Sequence, residues 1–476
     1  MKKYNPEIKE FLRSYVRDIL DSNAAVFAGA GLSQPAGYVN WKELLRDIAE
    51  DIGLNIDQES DLIALAQYHV NEFGSRSKIN QVLIDEFTKR IKTTKNHTLL
   101  AQLPINTYWT TNYDQLIENN LEMAGKKVDK KFEQENITYS VPGKDVTVYK
   151  MHGDSGSPHK AVLTKDDYED YDRKGELFIT ALRGYLVSKT FLFIGFSFDD
   201  PNLAQILSKI KVLLNEDKRT HYCFMRRIKE ADFMNNDEFS YAEVKLNLKI
   251  KDLQRYGIKV LLIDEYEEIT DILEYVNALV KRKNIFISGS ASSYGEWGEL
   301  ETFSFSANLN KHIIYNKYNI VSGFGLGIGS SVISGALEEI YSEHEIVENR
   351  LICRPFPQVT PGTDKEELWD KYRHEMIKNV GIAIFIFGNK IKNDNLVNAD
   401  GLEKEFIIAI ENGVIPIPIG STGFMSKILW DKVMGDFETY VGIEELRPLY
   451  NKLGDKSIKG ENLLKALVEI IKILSR

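Results

Sequence analysis

The stretch Ala24-Ala-Val-Phe-Ala-Gly-Ala-Gly-Leu-Ser33 decides the fold of the first half of the chain. Its five leading apolar residues are typical of a short buried strand, and Gly29 and Gly31 allow a sharp turn directly after it. Ligands of an open parallel sheet bind beyond the carboxyl ends of the strands, where backbone N–H groups of such a turn contact phosphate. A single Gly-x-Gly is a weak signal, because the same glycines also close an ordinary turn between a strand and a helix.

Outward from this stretch, short apolar runs alternate with helical patterns along the whole chain. The alternation predicts an α/β protein with two doubly wound, Rossmann-like domains, each a parallel sheet flanked by helices. The strands predicted in the first half are Ala24–Ala28, Thr107–Thr111, Val146–Met151, Phe191–Phe196, His221–Met225 and Lys259–Ile263. Those predicted in the second half are Ile285–Ser288, Ile320–Gly323, Leu351–Cys353, Ile382–Phe387 and Ile415–Ile419.

The basic tetrapeptide Lys281-Arg-Lys-Asn284 follows a helix predicted at Glu267–Val280 and precedes the first strand of the second half. We place the domain boundary there, with residues 1–283 in the first domain and 284–476 in the second. A chain of 476 residues exceeds what one hydrophobic core normally organises. No Gly-, Ser- or Pro-rich linker separates the two halves, so we expect them to pack closely.

Composition excludes several classes of protein. The net charge of −10 argues against a general nucleic-acid binder, and no apolar run reaches the ~20 residues that cross a bilayer. Cys223 and Cys353 are the only cysteines, which excludes a four-cysteine zinc module and fits a reducing compartment. We therefore expect a cytoplasmic protein with no nucleic-acid partner, no membrane association and no metal.

Small or polar residues follow three further strands of the first half. They occur in Thr111-Asn-Tyr-Asp114, in His152-Gly153 and in Gly195-Phe-Ser197. Together with the glycine turn, four such strand ends are hard to explain by turns alone. The full GxGxxG fingerprint is absent and no acid ends a clear second strand, which disfavours a hydride-transferring dehydrogenase.

This ordered set resembles the GAGxS, QNxD, HG and GxS elements of the sirtuin family over about residues 10–280. The resemblance implies that Asn112 and His152 are catalytic. The NAD-binding residues that it implies are Ala28, Gly29, Ala30, Gly31, Ser33, Asp114, Gly195 and Ser197. The zinc-binding cysteines of sirtuins are missing, and Tyr38-Val-Asn-Trp-Lys42 replaces their Pro-Asp-Phe-Arg segment. These departures resemble the divergent bacterial branch that hydrolyses NAD in antiphage defence.

The residue types suit cleavage of NAD between nicotinamide and ribose. The Asn112 amide both donates and accepts, so it can hold a water or a ribose hydroxyl, and His152 suits a general base. Asp114 either binds ribose hydroxyls or forms a local Asx-type turn, and both interpretations stay open. Asp199-Asp200 is interpreted through Asp200 as a helix N-cap, with Pro201 at the first helical position, and not as a metal site.

Small residues also follow the strands of the second half. Ser288-Gly289-Ser290 is one such segment, and Gly323, Gly325 and Gly327 alternate in the run that ends at Ser330. The run predicts a phosphate cradle before a helix N-terminus, and close packing between strand and helix explains the glycines equally well.

The second half resembles the SLOG superfamily of nucleotide binders. Tyr372-Arg-His-Glu-Met376, Ile384-Phe-Ile-Phe-Gly388 and Gly401-Leu-Glu-Lys-Glu-Phe406 carry the resemblance, while the PGGxGT run of its hydrolytic members is missing. Ligand binding is therefore favoured over hydrolysis. Arg373 is expected to pair with phosphate, Lys390 to add a charge and Glu405 to accept from ribose hydroxyls. The alternative is a structural salt bridge between Arg373 and Glu405.

These resemblances imply an enzyme that hydrolyses NAD, its substrate, to nicotinamide and ADP-ribose. The expected activator is a cyclic ADP-ribose isomer that a TIR-domain partner enzyme makes and that binds the second domain. The result is NAD depletion in the bacterial cytoplasm, and the expected assembly is a homotetramer. Two alternatives stay open: an NAD-dependent protein deacylase, and a non-enzymatic sensor of ADP-ribose or a related nucleotide.

Overall fold

The computed structural model describes residues 4–89, 91–198, 200–214, 218–357 and 365–475, so Asp199 lies outside the described residues. The chain divides into two compact units, Tyr4–Asn277 and Ala278–Arg476. The division falls within the helix Glu267–Lys281, slightly before the boundary expected at residue 284. Among the described residues, no helix is long and apolar enough to span a membrane.

The first unit is built on one parallel sheet of seven strands in the order β3-β4-β2-β1-β5-β6-β7. The strands are β1 (Ala24–Ala28), β2 (Thr107–Thr110), β3 (Val128–Lys131), β4 (Val146–Lys150), β5 (Thr190–Ile194), β6 (His221–Arg226) and β7 (Ile258–Ile263). The chain leaves β1 toward β2 on one side and places β5 on the other. The carboxyl end of β1 is therefore the point at which the strand order reverses, where such sheets bind ligands.

The helices of the first unit connect these strands. They are α1 (Pro6–Leu20), α2 (Ala30–Ser33), α3 (Trp41–Leu44), α4 (Arg46–Asp51), α5 (Leu62–Phe73), α6 (Ser77–Phe87), α7 (Lys95–Gln102), α8 (Leu116–Met123), α9 (Lys165–Glu169), α10 (Tyr171–Lys174), α11 (Glu176–Ser188), α12 (Pro201–Leu214), α13 (Asn236–Arg255) and α14 (Glu267–Lys281). The Asn5 side chain caps α1 by accepting from Ile8 N at 2.8 Å, and Pro6 takes the first helical position. The helix expected from Trp41 to Gly53 is interrupted at Leu45, whose ψ of 7° lies outside the helical range.

The second unit contains a five-stranded parallel sheet in the order β10-β9-β8-β11-β14 and a separate hairpin, β12-β13. The strands are β8 (Asn284–Ser290), β9 (Asn319–Ser322), β10 (Leu351–Cys353), β11 (Ile382–Phe387), β12 (Asn389–Lys392), β13 (Asn395–Asn398) and β14 (Ile415–Pro418). The helices are α15 (Glu299–Tyr315), α16 (Gly329–Ser342), α17 (Val347–Arg350), α18 (Lys365–Ile377), α19 (Asp400–Glu411), α20 (Phe424–Gly435), α21 (Phe437–Tyr440), α22 (Arg447–Gly454) and α23 (Gly460–Leu474).

The predicted fold class is confirmed, and every predicted strand is present with its ends shifted by at most about two residues. Gly289 and Ser290 were expected in a loop but belong to β8, which pairs with β11 as far as Ser290. The sequence patterns missed β3 and the β12–β13 hairpin. Both are polar, because β3 lies at a sheet edge and the hairpin is largely exposed.

Both sheets are buried between their helices. All five residues of β1 and all six of β11 are inaccessible, as expected for central parallel strands. Beside β1, the Trp109 ring stacks on Tyr149 with ring centroids 4.2 Å apart. These rigid strands fix the positions at which the polar residues after them emerge.

Candidate active site and candidate ligand site

The glycine turn after β1 packs directly against the loop after β5. Gly31 N donates to Gly195 O at 2.9 Å, and a Cβ on Gly29 would lie 2.5 Å from the same oxygen. Gly195 itself has a φ of +63°, and a Cβ there would lie 2.1 Å from Leu32 N. Side chains are excluded at these positions, so the two loops meet backbone to backbone. Contact of these residues with NAD stays a prediction.

Asn112, two residues beyond β2, is hydrogen-bonded to this turn. Its side chain is buried, and Nδ2 donates to Gly29 O and to Ser33 Oγ, each at 3.1 Å. Thr110 Oγ1, at the end of β2, accepts a hydrogen bond from Asn112 N at 2.9 Å and so fixes the start of the loop. Three predicted site residues, Gly29, Ser33 and Asn112, are therefore joined by direct bonds.

His152 lies at the same edge of the sheet, because β4 pairs with β2 in a register that aligns Lys150 with Thr110. The ring is buried, with Nε2 at 3.2 Å from Asp200 Oδ2, although this pair does not meet hydrogen-bond geometry. The Tyr168 ring contacts the imidazole edge to face at 5.6 Å. A buried histidine beside a carboxylate is a fitting general base, since the carboxylate stabilises the imidazolium that forms.

Asp200 has two structural roles. Leu203 N donates to its Oδ1 at 2.9 Å, so the predicted cap on α12 is confirmed. Tyr168 Oη donates to Oδ2 at 3.3 Å. Burial alone would raise the pKa of Asp200, but His152 and these donors outweigh it and hold the pKa below its usual value. Asp200 is therefore a charged partner for His152, a role that the sequence patterns did not reveal.

Asp114 makes the local turn that was one of its two predicted roles. Its Oδ1 accepts from Leu116 N at 2.9 Å, and the side chain is buried. This hydrogen bond confirms the Asx-type turn. The second carboxylate oxygen, Oδ2, takes no part in the turn. Contact of Asp114 with a ribose stays a prediction.

A buried lysine anchors the loop that carries Asn112 and Asp114. The fully buried Lys150 Nζ donates to Tyr113 O at 3.2 Å and to Asp114 O. It also forms ion pairs with Glu118 at 3.1 Å and Asp154 at 2.8 Å. Burial lowers the pKa of Lys150, but the surrounding carboxylates outweigh that effect and raise it. The sequence signal for this anchor is a lysine that ends an otherwise apolar strand.

The other predicted NAD-binding residues differ in exposure. Ala28 is buried as the last residue of β1, whereas Ala30 lies exposed at the start of α2. Ser197 is exposed on the loop after β5, and the structure does not join it to Asn112 or His152. Among the described residues, no group of three or more His, Cys, Asp or Glu side chains is arranged to hold a metal ion.

In the second unit, three predicted ligand residues converge at Ser288, in the last part of β8. Ser288 Oγ donates to Glu405 Oε2 at 2.5 Å, and Arg373 Nε lies 3.6 Å from Glu405 Oε1. All three side chains are buried. Burial raises the pKa of Glu405, and Ser288 and Arg373 offset only part of that effect. The salt bridge that was the alternative interpretation of Arg373 and Glu405 is present, and ligand binding stays a prediction.

Aromatic side chains surround Arg373. Its guanidinium lies 5.1 Å from the centre of the Phe356 ring and 5.8 Å from that of Trp369. Among the described residues, Arg373 Nε has no hydrogen-bond partner. A buried guanidinium with an unused donor suits an anionic ligand.

The glycines between β9 and α16 are closely packed against neighbouring segments of the second unit. A Cβ on Gly325 would lie 1.8 Å from Gly289 O, one on Gly327 would lie 1.9 Å from Ala291 O, and one on Gly323 would lie 2.7 Å from the Phe356 ring. Close packing therefore accounts for these glycines, although it is with β8, the residue after it and the Phe356 ring rather than between a strand and a helix. Their predicted contact with phosphate is untested.

Lys390 is paired with a carboxylate other than Glu405. It is on the β12–β13 hairpin, where its Nζ forms an ion pair with Asp400. Ser290 Oγ donates to Asn389 O at 3.3 Å, and the buried Asn389 side chain accepts from Ser292 N and Ser293 N at 2.9 and 2.8 Å. Asn389 thus holds the loop after β8, a role that the sequence patterns missed.

Comparisons with known families agree with this two-part organisation. Residues 106–250 match the model described as a SIR2-like domain. Residues 268–474 match the model described as the Sir2- and TIR-associating SLOG family. The sirtuin and SLOG resemblances are confirmed.

Whole-chain relatives carry one name. The NAD(+) hydrolase ThsA of Bacillus cereus (strain MSX-D12) is 45% identical over 99% of this chain and 100% of its own length. The NAD(+) hydrolase ThsA of Acinetobacter baumannii (strain 532279) is 44% identical over the same shares. The defense-associated sirtuin 2 of Bacillus subtilis is 25% identical over 56% of this chain and 29% of its own length. On the identity and coverage of the first two relatives, this chain belongs to the ThsA family.

Proposed function

We propose that this protein hydrolyses NAD to nicotinamide and ADP-ribose at the carboxyl ends of β1, β2 and β4. The observation that carries the proposal is the hydrogen-bonded joint between Asn112 and the glycine turn, with His152 at the same sheet edge. The names of the whole-chain relatives support the reaction. NAD is the substrate, and no metal is required.

The chemistry needs one positioned nucleophile and exclusion of bulk water. Nicotinamide is a good leaving group, so positive charge develops on the ribose carbon as its bond to nicotinamide breaks. Asn112 orients the attacking water or the ribose, because both of its amide donor bonds fix the plane of its side chain. His152 takes the proton from the nucleophile, and Asp200 stabilises the resulting imidazolium at 3.2 Å.

The NAD contacts follow from the loops around this pair. Backbone groups of residues 28–31 and 195 are assigned to the pyrophosphate, because the turn after β1 leads into α2 at the point where the strand order reverses. Asp114 and Ser197 are assigned to ribose hydroxyls. Ser33 acts through Asn112, because its hydroxyl oxygen accepts a hydrogen bond from the Asn112 side-chain amide.

The second unit is assigned the binding of a cyclic ADP-ribose isomer. The supporting observation is the buried Arg373 with an unused Nε donor, next to Glu405 and Ser288. Phosphate satisfies that donor, and ribose hydroxyls donate to the carboxylate. Lys390 adds positive charge from the hairpin, and residues 289, 290, 323, 325 and 327 form the backbone rim. The family description that pairs this domain with TIR proteins supports a TIR-domain enzyme as the source of the ligand.

The proposal extends to the cell. Activation depletes NAD in a bacterial cytoplasm during phage infection, and the working assembly is a homotetramer. An enzyme that empties the NAD pool must rest inactive, so its signal must bind the active arrangement more tightly than the resting one.

Incubating the pure protein with NAD separates this function from its alternatives. Nicotinamide release is measured alone, with an acylated lysine peptide, and with a cyclic ADP-ribose isomer. We expect release to rise with the isomer and to ignore the peptide. Release that requires the peptide would establish a deacylase, and isomer binding without release under any condition would establish a non-enzymatic sensor.

A further inference from the structure

Two tyrosines enclose the imidazole of His152. The ring centroids of Tyr168, on α9, and Tyr171, on α10, lie 5.6 and 6.2 Å from that of the histidine, at interplanar angles of 77° and 81°. Because the histidine is buried and both rings are nearly perpendicular to it, they limit the rotation of its side chain. A base held in this way presents its nitrogen atoms in fixed directions, as catalysis requires.

The hydroxyls of the two tyrosines have different partners. Tyr171 Oη donates to Met151 O at 2.9 Å, so it holds the backbone directly before His152. Tyr168 Oη donates to Asp200 Oδ2 at 3.3 Å, and the same oxygen lies 3.2 Å from His152 Nε2. Of the two tyrosines, Tyr168 is therefore the one that shares the carboxylate oxygen facing the base.

The helix that carries Tyr168 is held by two neighbouring helices. Arg76, directly before α6, forms an ion pair with Asp167 at 2.5 Å. Gln67, on α5, donates from Nε2 to Asp166 Oδ2 at 2.9 Å. Both carboxylates belong to α9 and directly precede Tyr168 in the chain. The position of the Tyr168 hydroxyl is thus set by packing between helices and not by α9 alone.

The charges around Asp200 are few. Burial and the Asp200 charge raise the pKa of Tyr168, so its hydroxyl keeps its proton and remains a donor. The Asp200 charge also acts on Tyr113 and Tyr171, but burial is the main cause that raises the pKa of each, and both stay neutral. The carboxylate therefore divides its charge between the His152 imidazole and the Tyr168 hydroxyl.

We propose that Tyr168 is a positioning residue that acts through Asp200 to tune how strongly His152 holds a proton. The inference rests on the proposed role of His152 in NAD hydrolysis. The hydroxyl holds Asp200 Oδ2 beside His152 Nε2 and takes up part of its negative charge. An imidazolium next to a shared carboxylate is stabilised less than one next to an unshared carboxylate. His152 is therefore free of its proton, and ready to accept one from the nucleophile, at a lower pH.

Tyr168→Phe tests this role, because it keeps the ring against His152 and removes only the hydroxyl. The pH dependence of kcat/KM for nicotinamide release is measured in the full chain, with Tyr171→Phe as the matched control. We expect the acidic limb of the Tyr168→Phe profile to move up by about 0.5–1 pH unit, with the rate recovering toward the parent's at higher pH. A merely structural loss would lower the rate at every pH and leave the limb in place.

The control and a second background locate the effect. Tyr171→Phe should keep the limb of the parent, because its hydroxyl contacts a backbone carbonyl and not Asp200. In an Asp200→Asn background, Tyr168→Phe should cause no further shift, since the group through which it acts is then neutral.

Deuterium exchange at the imidazole C2 carbon follows the protonation of His152 without any substrate. Mass spectrometry of the peptide that contains His152 gives the midpoint of this exchange against pH, and we expect the same upward shift in Tyr168→Phe. A midpoint that stays in place, that moves equally in Tyr171→Phe, or that still moves in the Asp200→Asn background overturns the proposal. A shifted midpoint in a protein whose parent releases no nicotinamide would support the link from Tyr168 to His152 and refute the proposed hydrolysis.

Discussion

Each candidate site contains a buried pair of a basic and an acidic side chain. The two pairs are similarly exposed, but the pKa of the carboxyl group is shifted in opposite directions. The side chains of His152 and Asp200 are 4% and 9% exposed, and those of Arg373 and Glu405 are 6% and 10% exposed. The pKa of Asp200 is held below its usual value, whereas that of Glu405 is raised. Burial is therefore not the difference between them.

The difference lies in the donors around each carboxylate. Asp200 receives a backbone N–H, a tyrosine hydroxyl and a histidine within 3.3 Å. Glu405 receives the Ser288 hydroxyl and an arginine that stays 3.6 Å away. Donors offset the cost of burying a charge, so the Asp200 carboxylate is better satisfied than that of Glu405, although both His152 Nε2 and Arg373 Nε are buried without a hydrogen bond among the described residues. A carboxylate that stays charged suits the stabilisation of an imidazolium, and a buried guanidinium with an unused donor suits an anionic ligand.

Removing a catalytic group should give the largest effect. We expect Asn112→Ala and His152→Ala each to lower kcat by about 10²–10⁴-fold, because each removes a group that acts on the nucleophile. Asn119→Ala and His159→Ala are matched controls, since both residues are exposed in the same unit. Nicotinamide release measures the effect. Full turnover by either site variant would refute its catalytic role, and the double variant should lose less than the two losses combined.

Removing the Arg373 side chain from its pair with Glu405 should lower the stability of the protein and abolish its response to the signal. Arg373→Ala leaves Glu405 buried without its cation, which costs about 3–5 kcal/mol. Replacing both partners, as Arg373→Met with Glu405→Gln, should recover the Tm. The response ratio, about 5- to 150-fold in the parent, should stay lost in both variants. If the double variant regains both stability and response, the pair is purely structural.

Neutralising Asp200 should have a smaller effect on catalysis. Asp200→Asn keeps the shape and the cap on α12 but removes the charge beside His152. We expect kcat to fall about 10- to 100-fold, less than the loss of the base itself, with KM little changed. Asp172→Asn is the exposed control. A fall in Tm that accompanies an unchanged kcat would show that Asp200 acts only as a helix cap.

The pH dependence of stability should give the smallest effect, with opposite signs at the two sites. The lowered pKa of Asp200 makes its contribution full above about pH 4 and lost as pH falls through the folded-state pKa. The raised pKa of Glu405 makes its contribution full below about pH 4.5 and lost as pH rises. The Tm of Asp200→Asn relative to the parent should therefore fall with rising pH, and that of Glu405→Gln should rise. Glu403→Gln, exposed on the same helix, should show no such slope.

Sequence patterns predicted most of the fold because the central parallel strands are continuous apolar runs. They missed β3, whose Asp129 and Lys131 are buried as an ion pair at 2.8 Å, so a buried strand carries a charged pattern. They also missed α13, because apolar residues on both its faces blur the helical period. The pairing of β3 with β4 lies outside its local sequence.

For the sites, the patterns located the residues but not their partners. Strand ends pointed to Asn112 and His152, since carboxyl ends of parallel strands share one edge. The Asp200 contact with His152 joins loops after β5 and β4, and the Lys150 anchor joins β4 to the loop after β2. Only the sheet order brings these residues together. The sequence correctly predicted that Asp200 caps α12, but it did not indicate the contact of Asp200 with His152.

One measurement tests the division of labour between the two sites most directly. Asn112→Ala is titrated with a cyclic ADP-ribose isomer by calorimetry, and nicotinamide release from NAD is followed in the same preparations beside the parent. The account predicts parent-like affinity for the isomer with nicotinamide release about 10²–10⁴-fold slower than in the parent, because only the first site is disabled. A variant that releases nicotinamide at the parent's rate, or a parent that does not bind the isomer, would contradict it.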